Sequence, residues 1–523
     1  MAHVYLSRRE IVRSIPVLSG YCLLAPYGVL QARPAGESPT GLIRGNLFDA
    51  VSGERAAAKI RVTNLQSNQV YLPPGAPKTM PKQPKSRTGR YFYARGSFEA
   101  ALPAGRYRIE VVRGICHQAL ASQVEIAPGT TQVLNFRLPM LEDLRAAGWY
   151  SGNTHTHYHL DIEESPEDRL RIVPPAEALD VSVISYLIRN RLAYPSNAFP
   201  IGRLPEFSRE GTLVDMGEEC RNNKASRGIG YGHCLFINIP RLVEPVSTGV
   251  LARDEEAPDF PTLSMLCAQA RDIGGTTIWC HEGEGMETPV AVALGVVDAF
   301  NLGDSREPSY ERYYQFLNCG FRLPASSGTD WWIYDHNRVF VRVQGEFRYD
   351  SWIAGLRAGR TFVSNGPLLE LAVNGRGPGQ LVRAAGPLKV VARAVSRVPF
   401  ERLEIVQDGL VVSERSTAQY LAAKLEAVIA VQRSGWIAAR ITAGDHKTEA
   451  GFATFAHTSP VYIEVPGKPP SKVEAARAFV KEIEESSDFI RKSYRFAKDA
   501  DRALALGRFE EARRFYAKLA TEG

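Results

Sequence analysis

The chain has 523 residues, 44% of them hydrophobic and 23% charged, with a formal net charge of +6. This is the composition of an ordinary soluble globule of about two to four domains. No apolar run is long enough for a membrane-spanning helix, and the positive charge is spread without basic blocks, so neither an integral membrane segment in the mature chain nor a nucleic-acid partner is expected.

Residues 1–35 read as an export signal. "SRREIVR" (Ser7 to Arg13) places Arg8 and Arg9 ahead of the short apolar stretch "IPVLSGYCLLAPYGVL". The order basic, apolar, small is that of a bacterial secretory signal. With Ile11 and Val12 the arginine pair looks like the twin-arginine variety, cleaved near Ala32 or Ala35, so a periplasmic or secreted protein is expected. Beyond the signal lie six cysteines, Cys116, Cys220, Cys234, Cys267, Cys280 and Cys319, with no C-x-x-C spacing. An oxidising compartment allows disulfides, but buried free thiols are expected in a chain of this length.

Residues 40–140 predict strands and turns. In "GRYRIEVV" Tyr107, Ile109 and Val111 alternate with Arg106, Arg108 and Glu110, the period of a half-buried strand. "GLIRGNLFDAVSGE" and "FEAALPAGRYRIEVVRG" resemble the transthyretin-like sandwich that serves as a regulatory domain of carboxypeptidases, so an accessory β-sandwich is expected. Over 141–372 short apolar strands ("DVSVIS", "HCLFINI", "GTTIWC") alternate with helical stretches ("LSMLCAQARDI"), which predicts an α/β domain with parallel strands. Residues 373–465 return to strands and predict a second β-sandwich. "PGKPP" (466–470) is a linker, and 471–523 predict a helical hairpin. Ser471 and Glu474 fit a capping box, Gly507 divides the two helices, and Ala512, Phe515, Tyr516 and Leu519 share a face. The hairpin resembles one tetratricopeptide-like unit. One copy is no array, so packing on a neighbouring domain is expected ahead of capture of a protein partner.

The chemistry is concentrated at "GWYSGNTHTHYHL" (148–160), which holds three of the chain's ten histidines, His155, His157 and His159. Alternate residues of a strand face one side, so His155 and His157 can reach one point, and neutral imidazole is a common ligand for zinc, copper, iron and nickel. Further donors stand at strand edges downstream: Glu218 and Glu219 in "VDMGEECRN", His233 in "GYGHCLFINI", His281 in "GGTTIWCHEGEG" and Asp330 in "PASSGTDWW". Taken singly, each also has an ordinary reading: a satisfied buried histidine, a solvated acidic turn, a capping aspartate. Cys220, Cys234 and Cys280 each adjoin a proposed ligand, and by strand alternation their thiols should point away from the site.

The ordered series H-x-H, G-x-E, G-H, strand-ending H and G-[ST]-D resembles the polymerase and histidinol phosphatase (PHP) metallohydrolases, most of all their CehA/McbA branch. "GWYSGNTHTH", "VVDAFNL", "SGTDWW", "NRVFVRV" and "GLRAGRTFVSNGPLLELAVNG" carry the likeness, which spans residues 145–375. The resemblance implies a distorted barrel of seven βα units, flanked here by two β-sandwiches and the hairpin. It matches His155, His157 and Asp330 to a first metal, Glu219 (with Glu218 its rival) to the bridge, and His233 and His281 to a second metal. The family's third site finds Tyr186, Leu187 and Trp332 where its ligands should be, and His159 and His336 stand nearby at other offsets. Two divalent ions are therefore expected, zinc first, with manganese or iron as alternatives.

These expectations describe a metal-dependent hydrolase that activates water at a binuclear site against an ester, amide or carbamate bond, ahead of a phosphoester. Glu219 bridges, and Tyr186 or His159 supplies the general acid. Trp331 and Trp332 wall the pocket against an aromatic or saccharide-like small molecule, and Arg338 receives an anionic part of it. The competing expectation is a degenerate scaffold acting as a non-catalytic extracytoplasmic binding protein.

Overall fold

The computed structural model describes residues 39–79, 90–189, 192–208, 211–222, 230–252, 257–303, 308–331, 336–417, 421–449 and 451–521. The predicted export signal and Trp332 lie outside the described residues.

The alternation in "GRYRIEVV" is realised in the strand Gly105–Val112, whose Tyr107, Ile109 and Val111 are buried while Arg106 and Arg108 are exposed. This strand pairs with Ala57–Asn64 and Leu120–Ile126. A second sheet orders Ser97–Pro103, Thr40–Asp49 and Thr131–Leu138. The two sheets close on one core that includes Ile43, Leu47, Ile60, Val62, Phe98 and Phe136.

The central region does not form a barrel of seven βα units. The protein is mostly β, 38% strand against 22% helix, and its strands curl into one large closed sheet of mixed direction. Val181–Tyr186 runs parallel to Trp149–Asn153 and Leu213–Asn222, but Leu213–Asn222 pairs antiparallel with Gly232–Ile237, and that strand antiparallel with Thr276–Trp279. Parallel neighbours need a crossover, usually a helix, whereas antiparallel neighbours need only a short return. Helices such as Leu263–Asp272 do follow some strands, which is the rhythm visible in the sequence. The pairing direction, which periodicity does not encode, makes the difference.

The large sheet also runs beyond residue 372. Thr361–Ser364 pairs with Ala456–Thr458, which continues to Gly435–Thr442 and Arg402–Gln407. A separate three-stranded sheet, Leu368–Val373, Gly386–Val395 and Ala422–Val431, shares a core with these strands through Leu388, Val390, Leu403, Ile405, Ile437 and Ile441. The strands of 373–465 are thus divided between a small sheet and the sheet that carries the site.

The C-terminal helices are Val473–Ser493 and Asp499–Leu519, so Gly507 lies inside the second helix. The chain turns at Tyr494–Lys498, where tertiary contacts hold it: Tyr494 packs 4.8 Å from Tyr231, and the Arg495 amide donates to Asp259 (2.9 Å). Lys472, not Ser471, caps the first helix, without a side-chain bond. The hairpin's apolar face is used within the chain. Phe479 stacks on Phe316 at 4.6 Å, and the Tyr516 hydroxyl donates to the Pro289 carbonyl. Among the described residues no helix is long and apolar enough to cross a membrane.

Candidate metal centre

The first ligand strand ends at Asn153, and the chain then runs beside the segment carrying Asp330. The His157 amide donates to the Asp330 carbonyl (3.1 Å), and the Asp330 amide to the His155 carbonyl (2.8 Å). Gly328 permits this approach, since a Cβ there would stand 2.4 Å from the His155 Cβ and 2.6 Å from its amide nitrogen. The glycine of "SSGTD" is therefore required by backbone proximity. Asp330 itself adopts φ +51°, a left-handed conformation that is uncommon outside glycine and that collects at functional sites.

The six predicted ligands meet. His155, His157 and Asp330 form one group, and Glu219, His233 and His281 another, the donor atoms within each lying no more than 4.8 Å apart. Glu219 joins them: its Oε2 is 3.0 Å from His157 Nε2 and its Oε1 is 3.0 Å from His233 Nδ1. The remaining distances are of the same kind. His155 Nε2 lies 3.1 Å from His157 Nε2 and 3.4 Å from Asp330 Oδ1, and His281 Nε2 lies 3.0 Å from His233 Nδ1.

The hydrogen bonding fits a cation. His157 Nδ1 is 3.0 Å from the Ser185 carbonyl, which only accepts, so Nδ1 carries the proton and Nε2 is bare. That bare nitrogen faces Glu219 Oε2 at 3.0 Å, acceptor against acceptor, a contact that a positive ion between them relieves. Asp330 Oδ1 is buried and accepts no hydrogen bond among the described residues. Burial holds His157 below the usual imidazole value, and burial with the Arg221 charge takes His233 down to about 3, so both rings are neutral at pH 7 and in the ligating form. Burial opposes the charge of Glu219, but its neighbours, led by the Arg221 charge, hold the carboxyl well below the usual range.

Glu218 is separated from its neighbour by environment. Its Oε2 accepts from the Val243 amide (2.8 Å), and burial raises the carboxyl to about 8, a neutral acid at pH 7. Glu219, not Glu218, is thus the carboxylate that lies between the two donor groups.

Cys280 departs from the alternation rule. Its sulfur forms a third group with His155 and Glu219, again within 4.8 Å. The strand stops at Trp279, and His281 and Glu282 follow with φ +52° and +53°, so the chain reverses and successive side chains face the same space. The cysteines described are free thiols, all buried except the partly buried Cys116.

The other predicted residues are placed as follows. Trp331 lines the site, its ring 4.6 Å from His157 and 5.1 Å from Tyr194. His159 lies 5.4 Å behind that ring and donates from Nε2 to the Trp331 carbonyl (3.0 Å), outside all three donor groups. Tyr186 packs against the apolar cluster of Tyr158, Ile184 and Phe199. Arg338 and His336 belong to a different buried network. Arg338 donates to the Glu177 carbonyl (2.6 Å) and the His336 carbonyl, while His336 contacts Glu177 (3.0 Å) and Lys59 (2.9 Å). Both are therefore consumed away from the candidate ligands, Arg338 by two carbonyls and a carboxylate of its own chain.

Sequence reasoning missed Arg221. It is buried, and its Nη1 lies 3.2 Å from Glu219 Oε2. The signal was present: residues 219 and 221 share a face of one strand.

No protein-family model and no curated protein matches the chain. Among solved structures it is similar to the Bacillus anthracis TIE protein, at 9% identity and a TM-score of 0.14 over 82% of this chain and 51% of that one. The chain thus spans about half of that protein's length, and a superposition so loose carries no argument about fold or function.

Proposed function

We propose that the protein is a metal-dependent hydrolase with a binuclear centre. The observation that supports this most is the carboxylate of Glu219, each oxygen of which lies 3.0 Å from an imidazole nitrogen of a different donor group. His155, His157 and Asp330 would hold one ion and His233 and His281 the other, with Glu219 between. Two divalent ions held there would supply Lewis acidity toward the scissile oxygen and would lower the pKa of water to about 7. The ligands favour zinc, because imidazole suits it and the Cys280 sulfur nearby is a soft donor that manganese does not prefer.

The chain's own residues do the rest. Ser185 fixes the His157 ring by accepting from Nδ1, and Trp331 covers that ring on one side and presents an apolar face to an aromatic or sugar-like group. His159 orients Trp331 through its carbonyl. The order of the ligands along the chain is what remains of the likeness to the CehA/McbA branch, since the sheet is not that family's barrel. An ester, amide or carbamate is the proposed target, in the periplasm or outside the cell.

The test is turnover of aryl esters, aryl carbamates and aryl phosphates by zinc-loaded chain, before and after chelation. Chelator-sensitive cleavage that returns with zinc supports the reading. Cleavage of none of the three by a chain shown to hold two metals would refute it.

A further inference from the structure

Arg221 has no task in the scheme above. Its side chain is 7% exposed, and Nε and Nη1 donate no hydrogen bond among the described residues. A buried guanidinium with donors unsatisfied is costly, and its one ionic contact among the described residues is to Glu219 Oε2 at 3.2 Å, the oxygen that faces His157. On the reading proposed above, on which this inference rests, that oxygen is a metal ligand and has little left to offer a guanidinium. The only other carboxylate within the two donor groups, Asp330, also serves a metal. Adjacent Glu218 lies on the other face of the strand, where its Oε2 accepts from the Val243 amide. Two divalent ions against two carboxylates would already leave the centre positive, and Arg221 adds a charge that, among the described residues, no further carboxylate pairs with.

We infer that Arg221 receives an oxyanion of the substrate, so that the compound hydrolysed is anionic beside the scissile bond. A guanidinium presents parallel N–H groups that match a carboxylate or phosphate in a bidentate pair, and a water-poor site strengthens that pair. Satisfying the free donors with substrate oxygens makes the hydrogen bonds that the protein leaves unmade. The anion binder is thus Arg221, in place of Arg338, whose guanidinium is bound to Glu177 and His336.

Inorganic phosphate is the probe. It is titrated calorimetrically into zinc-loaded full-length chain, as wild type, Arg221→Met and Arg221→Lys, with metal content measured on each sample. Loss of hydrogen bonds to a charged group predicts that Arg221→Met binds phosphate about 10- to 100-fold more weakly while keeping its metal, and that Arg221→Lys recovers part of the loss. Phosphate affinity within about twofold of wild type in Arg221→Met overturns the inference. So does loss of metal in step with phosphate in both variants, which makes Arg221 a counter-charge for Glu219. Wild type that holds two metals and binds no phosphate refutes the inference alone; wild type that holds no metal refutes the hydrolase reading and the inference with it.

Discussion

Replacing Glu177 with glutamine tests the buried ionic network that joins the N-terminal sandwich to the large sheet. Glu177 is fully buried at the end of the helix Pro166–Ala176. Its carboxylate meets Lys59 Nζ (3.1 Å), His336 Nδ1 (3.0 Å) and the Tyr93 hydroxyl (2.9 Å), with Arg338 Nη2 at 3.4 Å. Arg397 stands on the far side of His336 and pairs with Glu449. Glutamine keeps the shape but leaves Lys59 and Arg338 in a dry interior with one anion fewer. Breaking a buried pair from one side costs about 3–5 kcal/mol, because the surviving charge is uncompensated. Burial already holds Lys59 below its usual value, so part of the loss is relieved by its deprotonation. Adding Lys59→Met should therefore return a portion of the stability, a coupling that a double-mutant cycle reads directly. The assay is equilibrium urea unfolding at pH 7. A loss below about 1 kcal/mol in Glu177→Gln, the size of an exposed pair, would refute the reasoning.

Three further outcomes follow from the structure. Burial holds His117 and His457 down to about 3 and His336 to about 4, so between their unfolded value near 6.5 and these values the unfolded chain binds more protons. Stability should then fall as pH drops below about 6.5, by up to about 4 kcal/mol per pH unit for three such groups, and a flat profile from pH 7 to 5 would contradict it. Gly507→Ala lies inside a helix with open space around the added Cβ, so it should stabilise by about 0.5–1 kcal/mol in the same urea assay, and destabilisation would contradict the continuous helix. Burial pushes the thiols of Cys116 and Cys319 up to about 12, so a thiol reagent at pH 7 should label them slowly until urea is added, and rapid labelling of native protein would contradict their placement.

The clustering of the candidate ligands was legible because metal chemistry requires few residue types at strand edges, and H-x-H, Glu219, His233, His281 and Asp330 keep that signature whatever the topology. The choice between Glu218 and Glu219 was not legible: it depends on the Val243 amide, which comes from a distant loop. Cys280 is a buried core thiol as expected, but its sulfur also comes near His155 and Glu219, because alternation holds only while the strand lasts and His281 leaves it with a left-handed residue. Arg338 reads as an anion binder in one dimension, and only the fold brings Glu177 to it from 161 positions away. The sheet's direction was the largest loss. Apolar runs announce strands, but Cys220 facing Cys234 in an antiparallel pair is a long-range choice made by packing. Gly507 shows the reverse case, a local helix breaker overridden by the contacts that set the turn at Tyr494.

The central claim is the binuclear centre, and metal content per chain tests it most directly. Elemental mass spectrometry on chain purified without chelator or metal-affinity tag should find about two divalent ions, zinc foremost, and clearly fewer in folded Glu219→Ala, which removes the bridge. Wild-type chain that stays folded and retains no metal after zinc is added back and excess removed would contradict the account.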